Sequence, residues 1–403
     1  MDTQIVFGVD VSKHKSNIAI VINGKVVDEF KITHTRDGFK RLDDALNHFK
    51  NPQVIFESSG VYSRTLRAFL QRNNWSYTEI NPLAAKKDMD SFRHNKNDQL
   101  DAVALAQAMN QHHYAPTFQE QQIYSELRDM ERSYQEFNED IVRAKNRLHQ
   151  KLQITFPEIE KFMSTTDSAL YWHVVQQFSH PDLVLELTIA DLSASLLNAT
   201  PKNMSVLRAT ALAERLRNLA LNSAPAVRKD AYAVTAVKQL AQEVERISEH
   251  KAEIIQQMET LAKSLPEFEI LQSIPGFGVK TTVCVIAELG DIRRFHSANA
   301  INAYIGIDLI QYQSGDFEMA QHIRKRGNAY ARKILFKTIL NMISTSKYHP
   351  SNVSVAYEQK KQSSSAIRTK KIAIAAMSRL IRTIYHLIKY NELYDSKMFL
   401  AEL

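Results

Sequence analysis

Apolar residues along this chain first alternate with polar ones or form short dense runs, and later recur at helical spacing; the change divides the sequence into regions of different character. Residues 4 to 34 read as three strands, QIVFGVDVS, NIAIVIN and KVVDEFKIT. Asn23-Gly24 joins the last two, and an Asn-Gly pair between β-rich runs is a hairpin signal. GFKRLDDALNHF then has helical spacing, QVIFESSG reads as a strand, YSRTLRAFLQRN as a helix and WSYTEINP as a strand. Three antiparallel strands followed by alternating helix and strand form the pattern of an RNase H-like mixed sheet. Sugar-kinase and actin-type ATPases open with the same order.

From residue 115 to 265 the period changes to that of long helices. QEQQIYSELRDMERSYQEFNEDIVRAKNRLHQKLQITF and VRKDAYAVTAVKQLAQEVERISEHKAEIIQQMETLAKSL contain no glycine, and shorter helices fall near Asp167 to Phe178 and Met204 to Leu221. Their wide apolar stripes suit an antiparallel coiled hairpin, an oligomer seam or an intramolecular bundle. Glycine returns from Pro266 onward and the segments shorten. The expected organisation is therefore residues 1–114 as an α/β domain, 115–265 as a coiled-coil or dimerisation region, and 266–403 as a mainly helical domain. QKKQSSSAIRTKK, residues 359–371, is the candidate mobile loop.

Bulk composition narrows the class. A hydrophobic fraction of 44% over 403 residues suits a globular protein with a sizeable core. The absence of a long uncharged apolar run and of a basic leader with an apolar core points to the cytoplasm, away from a membrane, and the expected place there is beside the nucleoid. One cysteine, Cys284, excludes an internal disulfide and a cysteine-based zinc site. The net charge of +7 is unevenly spread: Met319 to Tyr390 holds fifteen Lys/Arg against the single acid Glu358, so the rest of the chain is net negative. A block so lopsided suits a polyanion.

Four acids carry candidate chemistry. Asp10 follows the apolar IVFGV and Glu57 follows QVIF, each at the end of a strand; in an RNase H-like sheet those strands are neighbours. NDQLDAVALAQAM then places Asp98 and Asp101 one turn apart on a helix face. Clustered carboxylates repel, and are tolerated mainly around divalent cations. Two Mg²⁺ ions, with Mn²⁺ as a substitute, would stabilise the attacking and leaving oxygens of a phosphodiester displacement. Taken singly, each acid could equally be a turn, cap or solvated residue.

Two later stretches add candidates. In ILQSIPGFGVKTTVCVIAELGDI, Gly276 and Gly278 permit a tight turn before a helix whose free N–H groups, with Lys280, could hold a phosphate. This is the helix-hairpin-helix pattern, with an ordinary αα-turn as the alternative. In AYIGIDLIQYQSGDFEMAQHIRKRGNAYARKILFKTILNM, Arg324, Lys325, Arg326, Arg332 and Lys333 read as a phosphate clamp or as a solvated basic face. Ser314-Gly315 reads as a turn, and spacing alone does not promote it to a nucleophile.

Together Asp10, Glu57, Asp98-x-x-Asp101, the IPGFG hairpin, YIGIDLIQYQSG, KRGN and RTKKIAIAAMSRLIRTIYHLIK resemble the insertion-sequence-110 transposases, the DEDD recombinases related to the Piv and MooV invertases. The resemblance covers about residues 4 to 112 and 266 to 392. It implies a RuvC-like nuclease domain whose acids, here Asp10, Glu57, Asp98 and Asp101, bind Mg²⁺, and a C-terminal domain contributing a nucleophilic serine, here Ser314. It further implies donor and target DNA, a structured noncoding guide (bridge) RNA, and a tetramer of two dimers with an active site shared between subunits. The chain is longer than compact members of the family, and Asp308 stands where a proline is common. Three rivals stay open: an RNase H-like nuclease or Holliday-junction resolvase without a covalent intermediate, a phosphotransferase of the sugar-kinase and actin type, and a non-catalytic nucleic-acid-binding protein. The phosphotransferase needs a second strand-Asp-Gly phosphate loop and a glycine-rich adenosine site, and neither is found.

Overall fold

The computed structural model describes residues 3–82, 98–112, 114–199, 203–310, 313–314, 317–318, 322–363 and 369–397; the side chains of 98–100, 309, 310, 313, 314, 317, 318 and 322 lie outside that description. The chain forms two compact units, Met1–Gln119 and Glu120–Leu403.

In the first unit, strands β1 (Ile5–Val11), β2 (Lys15–Ile22) and β3 (Lys25–Thr33) are followed by α1 (Arg36–Asn47), β4 (Gln53–Glu57), α2 (Ser63–Arg72), β5 (Tyr77–Ile80) and α3 (Asp98–His112). The sheet order is β3-β2-β1-β4-β5. The first three strands pair antiparallel, and β4 and β5 join parallel to β1. This is the RNase H-like mixed sheet that the alternation predicts. Asn23 and Gly24 both take positive φ, 47° and 81°, as the tight hairpin between β2 and β3 requires.

Two-residue periodicity assigns the faces of this sheet. Phe7 and Val9 of β1 and Val54 and Phe56 of β4 pack with α1 and α2 through Leu42, Leu46, Leu66 and Leu70. Val6 and Ile55, pointing the other way, pack with Ala104, Leu105, Ala106 and Met109 of α3. Gly8 shares the α3 face, and its bare Cα lets the helix come close: a Cβ there would lie 2.0 Å from the Ala102 carbonyl oxygen. Glycine in β1 and alanines along α3 thus press the helix onto the strand.

The second unit begins with α4 (Gln122–Thr155), continues through α5 (Ala169–Gln177), α6 (Pro181–Leu185), α7 (Ile189–Asn198) and α8 (Val206–Leu221), and returns along α9 (Tyr232–Ala262). Helices α4 and α9 pair antiparallel within one chain, Tyr124 and Leu127 sharing a core with Met258 and Ala262 while Ile141 and Leu148 share another with Val237 and Val244. Helices α5 to α8 cover the far end of this hairpin. At its root pack α10 (Pro266–Gln272), α11 (Val279–Leu289), α12 (Ala298–Ile305), α13 (Ala329–Thr345), α14 (Asn352–Ser363) and α15 (Thr369–Tyr390). Short strands β6 (Leu309–Ile310) with β9 (His322–Ile323), and β7 (Gln313–Ser314) with β8 (Phe317–Glu318), lie between α12 and α13. Of the loop expected at 359–371, residues 359–363 and 369–371 are helical, and 364–368 lie outside the described residues. No described helix is long and apolar enough to cross a membrane.

Candidate active site

The acids of the first unit are placed by the strands that carry them. Pairing of β1 with β4 runs to Val9–Phe56, and Asp10 and Glu57 are the next residue on each strand. Strand alternation puts both on the α3 face, with Gly8 and Ile55. Asp101 lies in the first turn of α3, one residue before Ala102, whose carbonyl crowds Gly8, and Gly8 sits two residues before Asp10 on that same face. Three acids are thus carried to one edge of the sheet on rigid backbone. Asp98 opens α3, but its side chain lies outside the described residues.

A fourth side chain joins them. Asn17 of β2 is the antiparallel partner of Asp10, and its Nδ2 donates to Asp10 Oδ2 at 3.3 Å. Asn17 is 3% exposed, and its Oδ1 has no hydrogen-bond partner among the described residues. Sequence reasoning missed Asn17; the signal was its place opposite Asp10, which becomes visible only once the register is known. Carboxylate and amide oxygens are the hard donors that Mg²⁺ takes, and an acceptor buried beside Asp10 with nothing to bind fits a cation there. Among the described residues no group of three or more His, Cys, Asp or Glu is already gathered in metal-binding geometry.

In the second unit, Ser314 ends β7 and pairs with Phe317 of β8; its side chain lies outside the described residues. The basic segment after β9 is held on the end of α12. Lys325 N–H donates to the Gly306 carbonyl at 3.0 Å and Asn328 N–H to the Tyr304 carbonyl at 2.8 Å. Lys325 and Gly327 take positive φ, 57° and 119°. A Cβ on Gly327 would lie 2.3 Å from the Tyr304 carbonyl, so only glycine fits that approach. Arg324 pairs with Asp308 at 3.2 Å, and Arg332 donates to the Ile305 carbonyl at 2.6 Å. Arg332 therefore fastens the loop, whereas Lys325 and Arg326 are exposed.

Beneath this loop lies a buried polar network. Asn328 caps α13 by accepting from the N–H groups of Tyr330 and Ala331, and its Nδ2 donates to Glu288 at 2.5 Å. Glu288 also accepts from Arg132 at 2.8 Å, and the Arg132 guanidinium lies 3.6 Å from the centroid of the Tyr330 ring. Glu131 and Glu288 are both fully buried, and Gln135 Nε2 donates to Glu131 at 2.6 Å. Burial, then the hydrogen bond to Glu288 and its charge, hold the Glu131 carboxyl well above the ordinary carboxylate range. Both effects favour the neutral, protonated form of Glu131 beside Glu288.

The glycine turn joins α10 to α11. Gly276 takes φ 91° and backs onto Met342, whereas Gly278 has ordinary φ, caps α11 and faces open space. Lys280, on the first turn of α11, extends over the Tyr134 ring at 5.0 Å, and Lys333 donates to Gln135 Oε1, on the neighbouring residue, at 3.1 Å. These two predicted phosphate contacts meet at one patch; Arg324, Lys325 and Arg326 belong to the loop after β9.

Comparison with known proteins bears on both units. A family model described as transposase, of the DEDD IS110 type, matches residues 7–157, and a second, for the transposase IS116/IS110/IS902 family, matches residues 268–353. The transposase for insertion sequence element IS1111A of Coxiella burnetii is 38% identical over 80 residues, which span 20% of this chain and 22% of that relative. The mini-circle putative transposase for IS117 of Streptomyces coelicolor is 26% identical over 336 residues, 78% of each chain. Among solved structures, T. thermophilus RuvC in complex with Holliday junction substrate matches with a TM-score of 0.22 and 11% identity, covering 27% of this chain and 92% of that one. The RNase H-like assignment rests on the strand order rather than on that likeness. With one model on the acid-bearing sheet and another on the glycine turn and basic segment, the chain belongs to the IS110 family of DNA transposases.

Proposed function

We propose that the chain cuts and rejoins DNA strands in moving an insertion sequence, in a reaction that depends on Mg²⁺ and passes through a phosphoserine link. The observation that carries this reading is the placement of Asp10 and Glu57 on adjacent strand ends facing the first turn of α3. Asp10, Glu57, Asp98 and Asp101 would hold the divalent metal, with Asn17 orienting Asp10. A bound divalent cation supplies charge stabilisation for a phosphate under attack. Rigid strands hold the carboxylates at fixed separation, so little reorganisation is needed during the reaction.

Ser314 would act as the nucleophile. Its Oγ gives up its proton to a base, forms a bond to phosphorus, and displaces a deoxyribose oxygen, which leaves as a hydroxyl after taking a proton. The phosphoserine keeps the phosphodiester bond energy for rejoining, so no nucleotide cofactor is consumed. Donor and target DNA would be selected by a structured guide RNA, with the protein working as a dimer that assembles into a tetramer. The exposed Lys325 and Arg326 and the Lys280–Lys333 patch suit phosphate backbones, which position without reading sequence.

The test combines purified protein, the RNA that copurifies with it, labelled DNA carrying the element ends, and Mg²⁺. A covalent protein–DNA adduct should appear on denaturing gels, vanish in Ser314→Ala and require Mg²⁺. Cleavage without an adduct would favour the resolvase-like nuclease, and an adduct surviving in Ser314→Ala would remove the serine from the mechanism. Sequencing the bound RNA should return one discrete species with loops complementary to two DNA sites; random cellular RNA would remove the guide.

A further inference from the structure

Lysines from three helices gather beside Tyr134 and its neighbour Gln135. Tyr134 of α4 is 4% exposed, and its ring has the Lys251 ammonium of α9 at 5.6 Å and the Lys280 ammonium of α11 at 5.0 Å. Gln135, next along α4, is fixed by donating to Glu131, which turns its Oε1 to accept from Lys333 of α13. Lys337 follows one turn later on α13, and Lys145, three turns along α4 from Tyr134, extends over the Trp172 ring.

The assembly is electrostatically unfavourable as it stands. Burial, then repulsion from Lys280, Lys145 and Lys337, depresses the Lys251 ammonium; burial, then Lys333 and Lys280, depresses Lys337. Among the described residues, the acid of the cluster is Asp167, which pairs with Lys145 and favours the charge on Lys251. Glu131, which accepts from Gln135, is pushed toward its neutral form by burial and by Glu288, and so adds little countercharge. Rings and an amide, which cost less to bury than carboxylates, support the ammonium groups while leaving their charge uncompensated. The α11 N-terminus adds to this field, because its cap residue Gly278 has no side chain to occupy the free N–H groups.

We propose that the patch formed by Lys251, Lys280, Lys333 and Lys337 around Tyr134 is a binding site for a nucleic-acid phosphodiester backbone. The inference rests on the reading of the chain as an enzyme of nucleic acids, and it extends the site from the glycine turn to the paired long helices. A run of phosphates supplies the repeated negative charge that several ammonium groups from separate helices require. Lys337 and Lys251, the latter on α9 and far in sequence from the basic C-terminal block, are the residues that this proposal adds.

The test measures binding rather than cleavage. Full-length protein and the variant Lys251→Gln/Lys280→Gln/Lys337→Gln are titrated by fluorescence anisotropy against a labelled DNA duplex and a labelled structured RNA across a salt series. Removing three phosphate contacts should reduce the slope of log K against log salt by about 3 on duplex DNA, or by about 2 on single-stranded segments. Loss on DNA alone assigns the site to duplex, loss on RNA alone to RNA, and loss on both to either backbone. The matching Lys→Arg triple variant should keep the wild-type slope, and Lys31→Gln/Lys40→Gln/Lys50→Gln, which removes equal charge elsewhere, should leave it within one unit. An unchanged slope on both probes in the cooperatively melting Gln variant would overturn the proposal. Ser314→Ala should not alter the slope, so failure of the covalent chemistry and failure of this site are separately visible.

Discussion

Gly8 gives a direct steric handle on the acid cluster. In Gly8→Ala the new Cβ would stand 2.0 Å from the Ala102 carbonyl oxygen, 2.9 Å from Ala106 N and 3.0 Å from Ala106 Cβ. Ordinary contact begins near 3.4 Å, so a gap of about 1.4 Å must open between α3 and β1. Overpacking of this kind costs about 1–3 kcal/mol, which leaves the unit folded. Since Asp101 is bonded to Ala102, the same displacement carries it away from Asp10, and a misplacement of about 1 Å is worth roughly a hundredfold in rate. The control is Gly38→Ala, whose Cβ would stand equally close, 2.0 Å, to the Thr33 carbonyl, at the start of α1 on the opposite face. Both variants should melt several degrees early with cooperative transitions. Mg²⁺-dependent DNA cleavage should fall about a hundredfold in Gly8→Ala and stay near wild type in Gly38→Ala. Equal activity in the two variants would refute the placement of α3 as the source of the site's geometry.

Three further outcomes follow from the second unit. Burial and the neighbouring Glu288 raise the Glu131 carboxyl from the 4.5 of an unfolded chain to about 8, so folding takes up a proton; stability is full below pH 4.5 and is lost as pH rises toward 8. Glu131→Gln keeps a donor to Glu288, and should flatten the decline and gain on the order of 2–4 kcal/mol at pH 8 in urea melts; parallel pH profiles for the two proteins would contradict this. Gly327→Ala, forced against the Tyr304 carbonyl at positive φ, should cost about 1–3 kcal/mol and weaken nucleic-acid binding by the loop after β9, and an unchanged denaturation midpoint would count against that packing. The Cys284 thiol is pushed up to about 12 by burial and then by Glu131, so a disulfide reagent should label it only as the unit unfolds, and rapid labelling of native protein would refute its burial.

How much of this was legible in the sequence depends on whether the information was local. The Asn23-Gly24 turn, the run into Asp10 and the run into Glu57 are short-range patterns, and the RNase H-like order made the two acid-bearing strands neighbours; the β1–β4 register then puts both acids on one face. The two long helices announced themselves by period, although α6 and α7 between them did not. Residues acting across long separations were hidden. The need for a bare Cα at Gly8 comes from α3, far along the chain, and no local pattern announces it. Glu131 and Glu288 drew no reading from the sequence, because periodicity treats a carboxylate as polar and cannot foresee two of them buried side by side. Nothing local singles out Lys251, and only the antiparallel return of α9 brings it to Tyr134.

The central claim is that the edge carrying Asp10, Glu57 and the start of α3 binds a divalent metal. Mn²⁺ titration followed by electron paramagnetic resonance reads that binding without DNA, RNA or turnover. The account predicts saturable binding by the wild-type protein, competed by Mg²⁺, and at least tenfold weaker binding in Asp10→Asn and in Glu57→Gln at unchanged melting temperature. Equal Mn²⁺ affinity in wild type and both variants would contradict it.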